Sequence, residues 1–147
     1  MASEARVQIT STLDVIDARR QGRALAKKIG FAGSEITLIA AAISEVARNI
    51  VEYARHGEII FEGVENGGRR GLKIVARDEG PGIQNVDQAM ESGYSTRDDG
   101  LGLGLPGAKW LMDEFAIESK IGRGTTVTMK KWAREHGCQN QYHTIRD

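Results

Sequence analysis

Gly100-Leu101-Gly102-Leu103-Gly104-Leu105-Pro106-Gly107 runs directly into Ala108-Lys109-Trp110-Leu111-Met112. Glycine at alternate positions removes the Cβ atoms that hold a backbone away from a ligand. Pro106 suits the first turn of a helix, where its missing N–H costs nothing. A helix opening there leaves free amides at its N-terminus, which attract an anion through their N–H groups and the positive end of the helix dipole. Phosphate is the first ligand to consider, and a glycine-rich turn with no ligand is the plain alternative from these residues alone. The stretch contains no GxxxxGKS/T, which excludes a P-loop, and its glycines do not follow the GxGxxG pattern of a dinucleotide fold.

The chain has 147 residues, 40% of them hydrophobic, enough for one domain with a real core and no disulfide or metal staple. Twenty Lys and Arg balance twenty Asp and Glu, which argues against a general nucleic-acid binder. No early apolar run has the length of a signal peptide or a membrane helix, so the expected location is the cytoplasm, with no membrane partner. The single Cys138 rules out an internal disulfide and a CxxC motif, and His136, Cys138 and His143 do not match zinc-ligand spacing.

Outward from the glycine stretch, the remaining elements follow from periodicity. Val7 to Thr10 alternates as a half-buried strand. Asp14 can cap a helix that turns Val15, Ile16, Leu25 and Ile29 inward and ends near Gly30. Its other side carries Arg19, Arg20, Arg23, Lys27 and Lys28, either a solvated face or a docking surface for an acidic partner. Ser34 opens a second helix, with Ile36, Ile39, Ile43, Val46 or Ala47, and Ile50 at helical spacing to about Ala54. Glu45 and Asn49 lie one turn apart on that helix, so both side chains leave one face beside the core stripe. Asn offers a neutral oxygen to Mg²⁺ and Glu can take a proton from an attacking hydroxyl, while an ordinary polar helix edge has the same spacing.

Glu58 to Glu65 and Leu72 to Arg77 read as paired strands around the turn Asn66 to Gly71. The second strand delivers Asp78, followed by Glu79-Gly80-Pro81-Gly82-Ile83. An Asp there can accept a hydrogen bond from a ligand amino group, and Asp before glycine is also a plain turn sequence. A short helix at Val86 to Glu91 and the polar segment Ser92 to Asp99, including Arg97, fit a lid. Phe115 to Ile121 and Thr125 to Lys130 form a last hairpin around Gly122-Arg123-Gly124, and Trp132 closes the ordered part.

Glu45 and Asn49, the Asp78 to Ile83 box, the Gly100 to Gly107 turn and Gly122-Arg-Gly-Thr125 occur in this order in the ATP-binding domain shared by DNA gyrase, Hsp90, histidine kinases and MutL. The chain resembles that GHKL family from about Val7 to Trp132. Within it, the run from GLGLGLPG to Phe115 is similar to the small bacterial serine/threonine kinases of the RsbT switch-kinase type, with the RsbW-type anti-sigma kinases as cousins. The resemblance implies an α+β fold: a two-layer sandwich of the Bergerat type, its mixed, mostly antiparallel sheet covered on one face by helices. One domain would span residues 1–132, followed by a polar tail at 133–147.

By the same resemblance the cofactors are ATP and Mg²⁺. Glu45 is the general base, Asn49 holds Mg²⁺, Asp78 reads adenine with support from Thr125 through water, and Gly80 and Gly82 lie at the adenine edge. Gly100, Leu101, Gly102, Leu103, Gly104 and Gly107 take the phosphates. The implied activity is phosphorylation of a Ser or Thr on a STAS-domain scaffold or antagonist protein in stressosome signalling, which frees the kinase to activate a PP2C-type phosphatase. No His sits in a phosphoacceptor helix, and the length leaves no room for the transducer domain of a clamp. The alternative is an ATP-dependent anti-sigma factor that sequesters a sigma factor with little or no phosphotransfer.

Overall fold

Val7 and Ile9 are buried on one side of β1 (Glu4–Ile9), in the alternation that a half-buried strand requires. The chain turns at Ser11 into α1 (Thr12–Ile29). Asp14, the expected cap, lies instead within the first turn. Its carboxylate accepts hydrogen bonds from the Thr10 amide at 2.8 Å, the Thr10 hydroxyl at 2.9 Å and the Ser11 amide at 3.2 Å. Those bonds, the Thr10 amide foremost, hold the Asp14 carboxyl below its ordinary range.

Helix α1 buries Val15, Ala18, Gly22, Leu25 and Ala26. Ile16, expected inward, is 48% exposed, because it falls off the stripe that steps by three and four from Val15. The outer face presents Arg20, Arg23, Lys27 and Lys28, and Arg20 pairs with Asp17 at 2.7 Å. Helix α2 (Gly33–Tyr53) starts one residue before the expected Ser34 and buries Ile39, Ile43, Val46, Ala47 and Ile50 against α1 and the sheet.

Two adjacent glycines set the central hairpin. Gly67 and Gly68 have φ of 60° and 86°, as a two-residue hairpin loop requires. Strands β2 (Gly57–Asn66) and β3 (Arg69–Asp78) therefore pair from Asn66↔Arg69 to Gly57↔Asp78. Arg69 and Arg70, expected in the turn, are strand residues, and the Arg69 guanidinium lies 4.8 Å over the Trp132 ring. A short helix, α3 (Val86–Ala89), follows; then α4 (Gly104–Leu111), β4 (Glu114–Lys120) and β5 (Gly124–Trp132).

The computed structural model describes residues 4–90 and 104–134. Ser92 to Asp99 with Arg97, the residues Gly100, Leu101, Gly102 and Leu103, and the tail positions His136, Cys138 and His143 lie outside the described residues. The five strands run in the order β1-β2-β3-β5-β4, and each neighbouring pair is antiparallel. The sheet expected to be mixed is thus antiparallel throughout the described residues. At the far end of the described chain, Ala133 donates its amide to Arg70 O at 2.8 Å, so the sheet's hydrogen bonding runs one residue past Trp132. No helix among the described residues is long and apolar enough to cross a membrane.

Period-two alternation sorts the strand residues between the two faces of the sheet. Leu72, Ile74 and Ala76 on β3, Met129 and Val127 on β5, and Phe115 and Ile117 on β4 form inward rows under α1, α2 and α4. The next inward position on each row is polar: Asp78, Thr125 and Ser119. Register aligns these three, since Asp78 pairs with Thr125 and Thr125 with Ser119. The apolar rows thereby end in one polar line across the sheet, at the end where the candidate site lies.

Candidate functional site

Helical repeat brings the first group together. Glu45, Asn49 and Tyr53 follow at intervals of four along one face of α2. Glu45 is 3% exposed, and its Oε1 accepts the Gly104 amide at the start of α4 at 3.1 Å. That bond ties the carboxylate to the helix terminus that the glycine-rich stretch opens, and it helps offset the cost of burying a charge. Asn49 is half-buried and Tyr53 half-exposed.

Sheet register brings the second group. Asp78 Oδ1 accepts the Gly80 amide at 2.9 Å, a two-residue Asx turn that starts the box. Gly82 (φ +80°) and Gly124 (φ +98°) bring the two loops together: a Cβ on Gly82 would meet the Lys120 carbonyl, and one on Gly124 the Asp78 carbonyl. Gly122 also donates to Pro81 O at 2.9 Å. The Ser119 hydroxyl completes the seam. It accepts the Ile83 amide at 2.7 Å, lies 2.8 Å from the Thr125 hydroxyl, and donates to Gly124 O at 3.2 Å.

Between the two groups is a cavity of about 700 Å³, within the usual range for a small-molecule site. Asn49, Asp78, Gly82, Gly104 and Thr125, all sequence candidates, line its wall, as do Tyr53, Ile83, Asn85 and Gln88. Glu45 stands behind Gly104 rather than on the wall. Gly80 and Gly107 do not line it either: Gly80 packs where a Cβ would come within 2.6 Å of Ala54 Cβ, and Gly107 is buried in α4. Gly100, Leu101, Gly102 and Leu103 lie outside the described residues.

Tyr53 and Ser119 are site residues that sequence reading missed. Both had a signal available. Tyr53 continues the spacing of Glu45 and Asn49, and Ser119 continues the parity of Phe115 and Ile117.

A nucleotide fits this donor set. The wall offers a carboxylate at one end and a helix N-terminus at the other, suited to a base with an amino edge and to phosphates respectively. For a metal, no group of three or more His, Cys, Asp or Glu that could hold an ion occurs among the described residues. The Asn49 carboxamide on the wall suits a Mg²⁺ that arrives with phosphates, because that ion commonly takes few protein ligands.

Comparison with known proteins agrees with this fold. Residues 9–131 match the family described as Histidine kinase-like ATPase domain. The chain is 47% identical over 134 residues to the serine/threonine-protein kinase RsbT of Bacillus subtilis, covering 91% of this chain and 100% of that protein. It is 36% identical over 103 residues to the anti-sigma F factor of Clostridium acetobutylicum, covering 66% of this chain and 70% of that protein. Among solved structures, the RsbU and RsbW domains of Rv1364c from Mycobacterium tuberculosis share the fold with a TM-score of 0.56 and 24% identity, over 89% of this chain and 33% of that one. The mycobacterial sensor histidine kinase MprB does so at 0.52 and 16%, over 90% and 99%. With a family match over residues 9–131 and 47% identity to RsbT over its whole length, the chain belongs to the histidine kinase-like ATPase domain family.

Proposed function

We propose that the chain is an ATP-dependent serine/threonine protein kinase of partner-switch signalling, acting on a STAS-domain protein. The observation that carries this reading is the pairing on α2 of Asn49, on the cavity wall, with Glu45 one turn before it and bonded to the start of α4, beside the Asp78 and Thr125 that line the same cavity. The extent of the likeness favours a kinase over a sequestering anti-sigma factor: RsbT aligns over 91% of the chain and the anti-sigma F factor over 66%.

Bound Mg-ATP would supply the γ-phosphoryl group and the cation that offsets its charge. Asp78 accepts from the base amino group and Thr125 supports it. Asn49 would give its side-chain oxygen to Mg²⁺, and the amides at the start of α4 would orient the phosphates. Glu45 takes the proton of the acceptor Ser or Thr hydroxyl as its oxygen bonds to phosphorus and the bond to the ADP leaving group breaks. With Oε1 of Glu45 accepting the Gly104 amide, the second carboxylate oxygen would receive the hydroxyl proton, so the helix terminus holds the base in place as it works.

An acceptor on another protein requires a docking surface. The basic outer face of α1 is proposed for it, and Arg23→Glu should weaken partner binding about fivefold or more while leaving ATP affinity unchanged; equal partner affinity would remove α1 from the interface. Activation of a PP2C-type phosphatase after release belongs to the same proposal. The test is incubation with Mg-ATP and a STAS-domain protein, read by intact mass. One added phosphoryl group on a Ser or Thr is expected. Capture of a sigma factor by a chain that binds ATP without transferring phosphate would replace the kinase with the sequestering protein.

A further inference from the structure

The Ser119 hydroxyl makes three contacts with one proton to give. The Ile83 amide can only donate, at 2.7 Å, and the Gly124 carbonyl can only accept, at 3.2 Å. The contact with Thr125 Oγ1 at 2.8 Å can run either way by distance alone. Counting protons decides it. Ser119 satisfies all three contacts only if its own hydrogen goes to Gly124 O and the Thr125 hydroxyl donates to Ser119. The Thr125 hydrogen is then directed away from the cavity, and Thr125 Oγ1 offers lone pairs to whatever lies there.

Asp78, the cross-strand neighbour of Thr125, is also an acceptor when ionised, with Oδ1 bonded to the Gly80 amide. This end of the cavity thus presents two adjacent acceptors. Resting on the nucleotide reading above, we infer that Ser119 is a positioning residue for base selection. By fixing the Thr125 hydroxyl as an acceptor toward the cavity, it favours a purine whose edge carries an amino donor over one that carries a carbonyl there. Ser119 does not line the cavity and acts through Thr125.

Removing the Ser119 hydroxyl frees Thr125 to rotate and donate to a carbonyl, which relieves the penalty against guanine. The Ile83 amide loses its partner at the same time, but that loss weighs on both nucleotides alike. The informative quantity is therefore the ratio of GTP to ATP dissociation constants.

The experiment measures both constants by titration calorimetry for the intact chain, Ser119→Ala, Thr125→Val and the double variant. Ser119→Ala should lower the ratio about fivefold, the size of one ordinary hydrogen bond. In the Thr125→Val background the same substitution should change it less than about twofold, since the residue through which Ser119 acts is gone. Ser119→Thr keeps the hydroxyl, suits a strand, and should restore the parent ratio. Ser119→Cys, of similar volume but with a weak donor, replaces the alanine variant if that one does not fold, with the same expected fall. An unchanged ratio in Ser119→Ala or Ser119→Cys, or an equal fall with and without Thr125, overturns the inference. A parent chain that binds neither nucleotide instead counts against the nucleotide site itself.

Discussion

The two ends of the cavity are built by different means. At the Asp78 end three strands place Asp78, Thr125 and Ser119 in one line, and Ser119 joins β4, β5 and the Ile83 loop with three hydrogen bonds. At the Glu45 end two helices meet, and the Gly104 amide at the start of α4 bonds to Glu45 on α2. A sheet register cannot shift by a small amount without turning every inward residue outward, whereas a helix terminus can exchange one acceptor for another at little cost. On the proposed mechanism, recognition would sit on the sheet side and phosphotransfer on the helical side.

If that division holds, substitutions at the two ends should separate rate from affinity. Asn49→Ala, at the helical end, should lower phosphotransfer by about a hundredfold or more through loss of metal positioning, with ATP affinity in the absence of Mg²⁺ unchanged. Loss of metal-free binding to the same degree would erase the distinction. Asp78→Asn, at the sheet end, should weaken ATP binding about tenfold or more, because a charge-assisted bond is replaced by a neutral group able to present a donor. Titration with ATP checks it, and an affinity within about twofold of the parent would take Asp78 out of base recognition.

Smaller effects belong to the frame. Gly82→Ala places a Cβ against the Lys120 carbonyl at φ +80° and should cost about 1–3 kcal/mol of stability, read by denaturant unfolding. A loss of ATP affinity well beyond that of stability would give Gly82 a direct ligand role. On the other face of the sheet, one residue along from Asp78 and its partner Gly57, Glu58 bonds to Arg77 and, at 3.1 Å, to Arg6. The bond to Arg77 foremost holds its carboxyl below the ordinary 4.5. This stabilisation is complete above about pH 4.5, the unfolded value, and is lost as pH falls through the lower folded value. Glu58→Gln should shallow the acid side of the stability profile slightly, since the pair is partly exposed; an identical acid limb in the variant would show the pair contributes nothing.

Most of the fold was legible in the sequence because its signals are local. Asn66-Gly-Gly marks a hairpin, alternation marks the strands, and the apolar stripe of α2 is regular from Ile36 to Ile50. Errors arose where polarity and geometry disagree. Arg69 and Arg70 read as loop because they are charged, yet two glycines at positive φ close the hairpin before them. Ile16 read as core because it is apolar, yet its helical position faces outward. Ser119 was passed over because a serine in a polar-looking segment carries no chemistry by itself. Its role exists only once β5 lies beside β3 and aligns it with Thr125 and Asp78, a pairing between residues far apart in the chain.

The most direct measurement is transfer of label from γ-labelled Mg-ATP to a STAS-domain protein by the intact chain and by Glu45→Gln, with ATP affinity measured in parallel. Acid-stable label on a Ser or Thr, reduced about a hundredfold or more in the variant while ATP affinity stays within about threefold, is the expected result. Undiminished transfer by Glu45→Gln would contradict the assignment of Glu45 as the base.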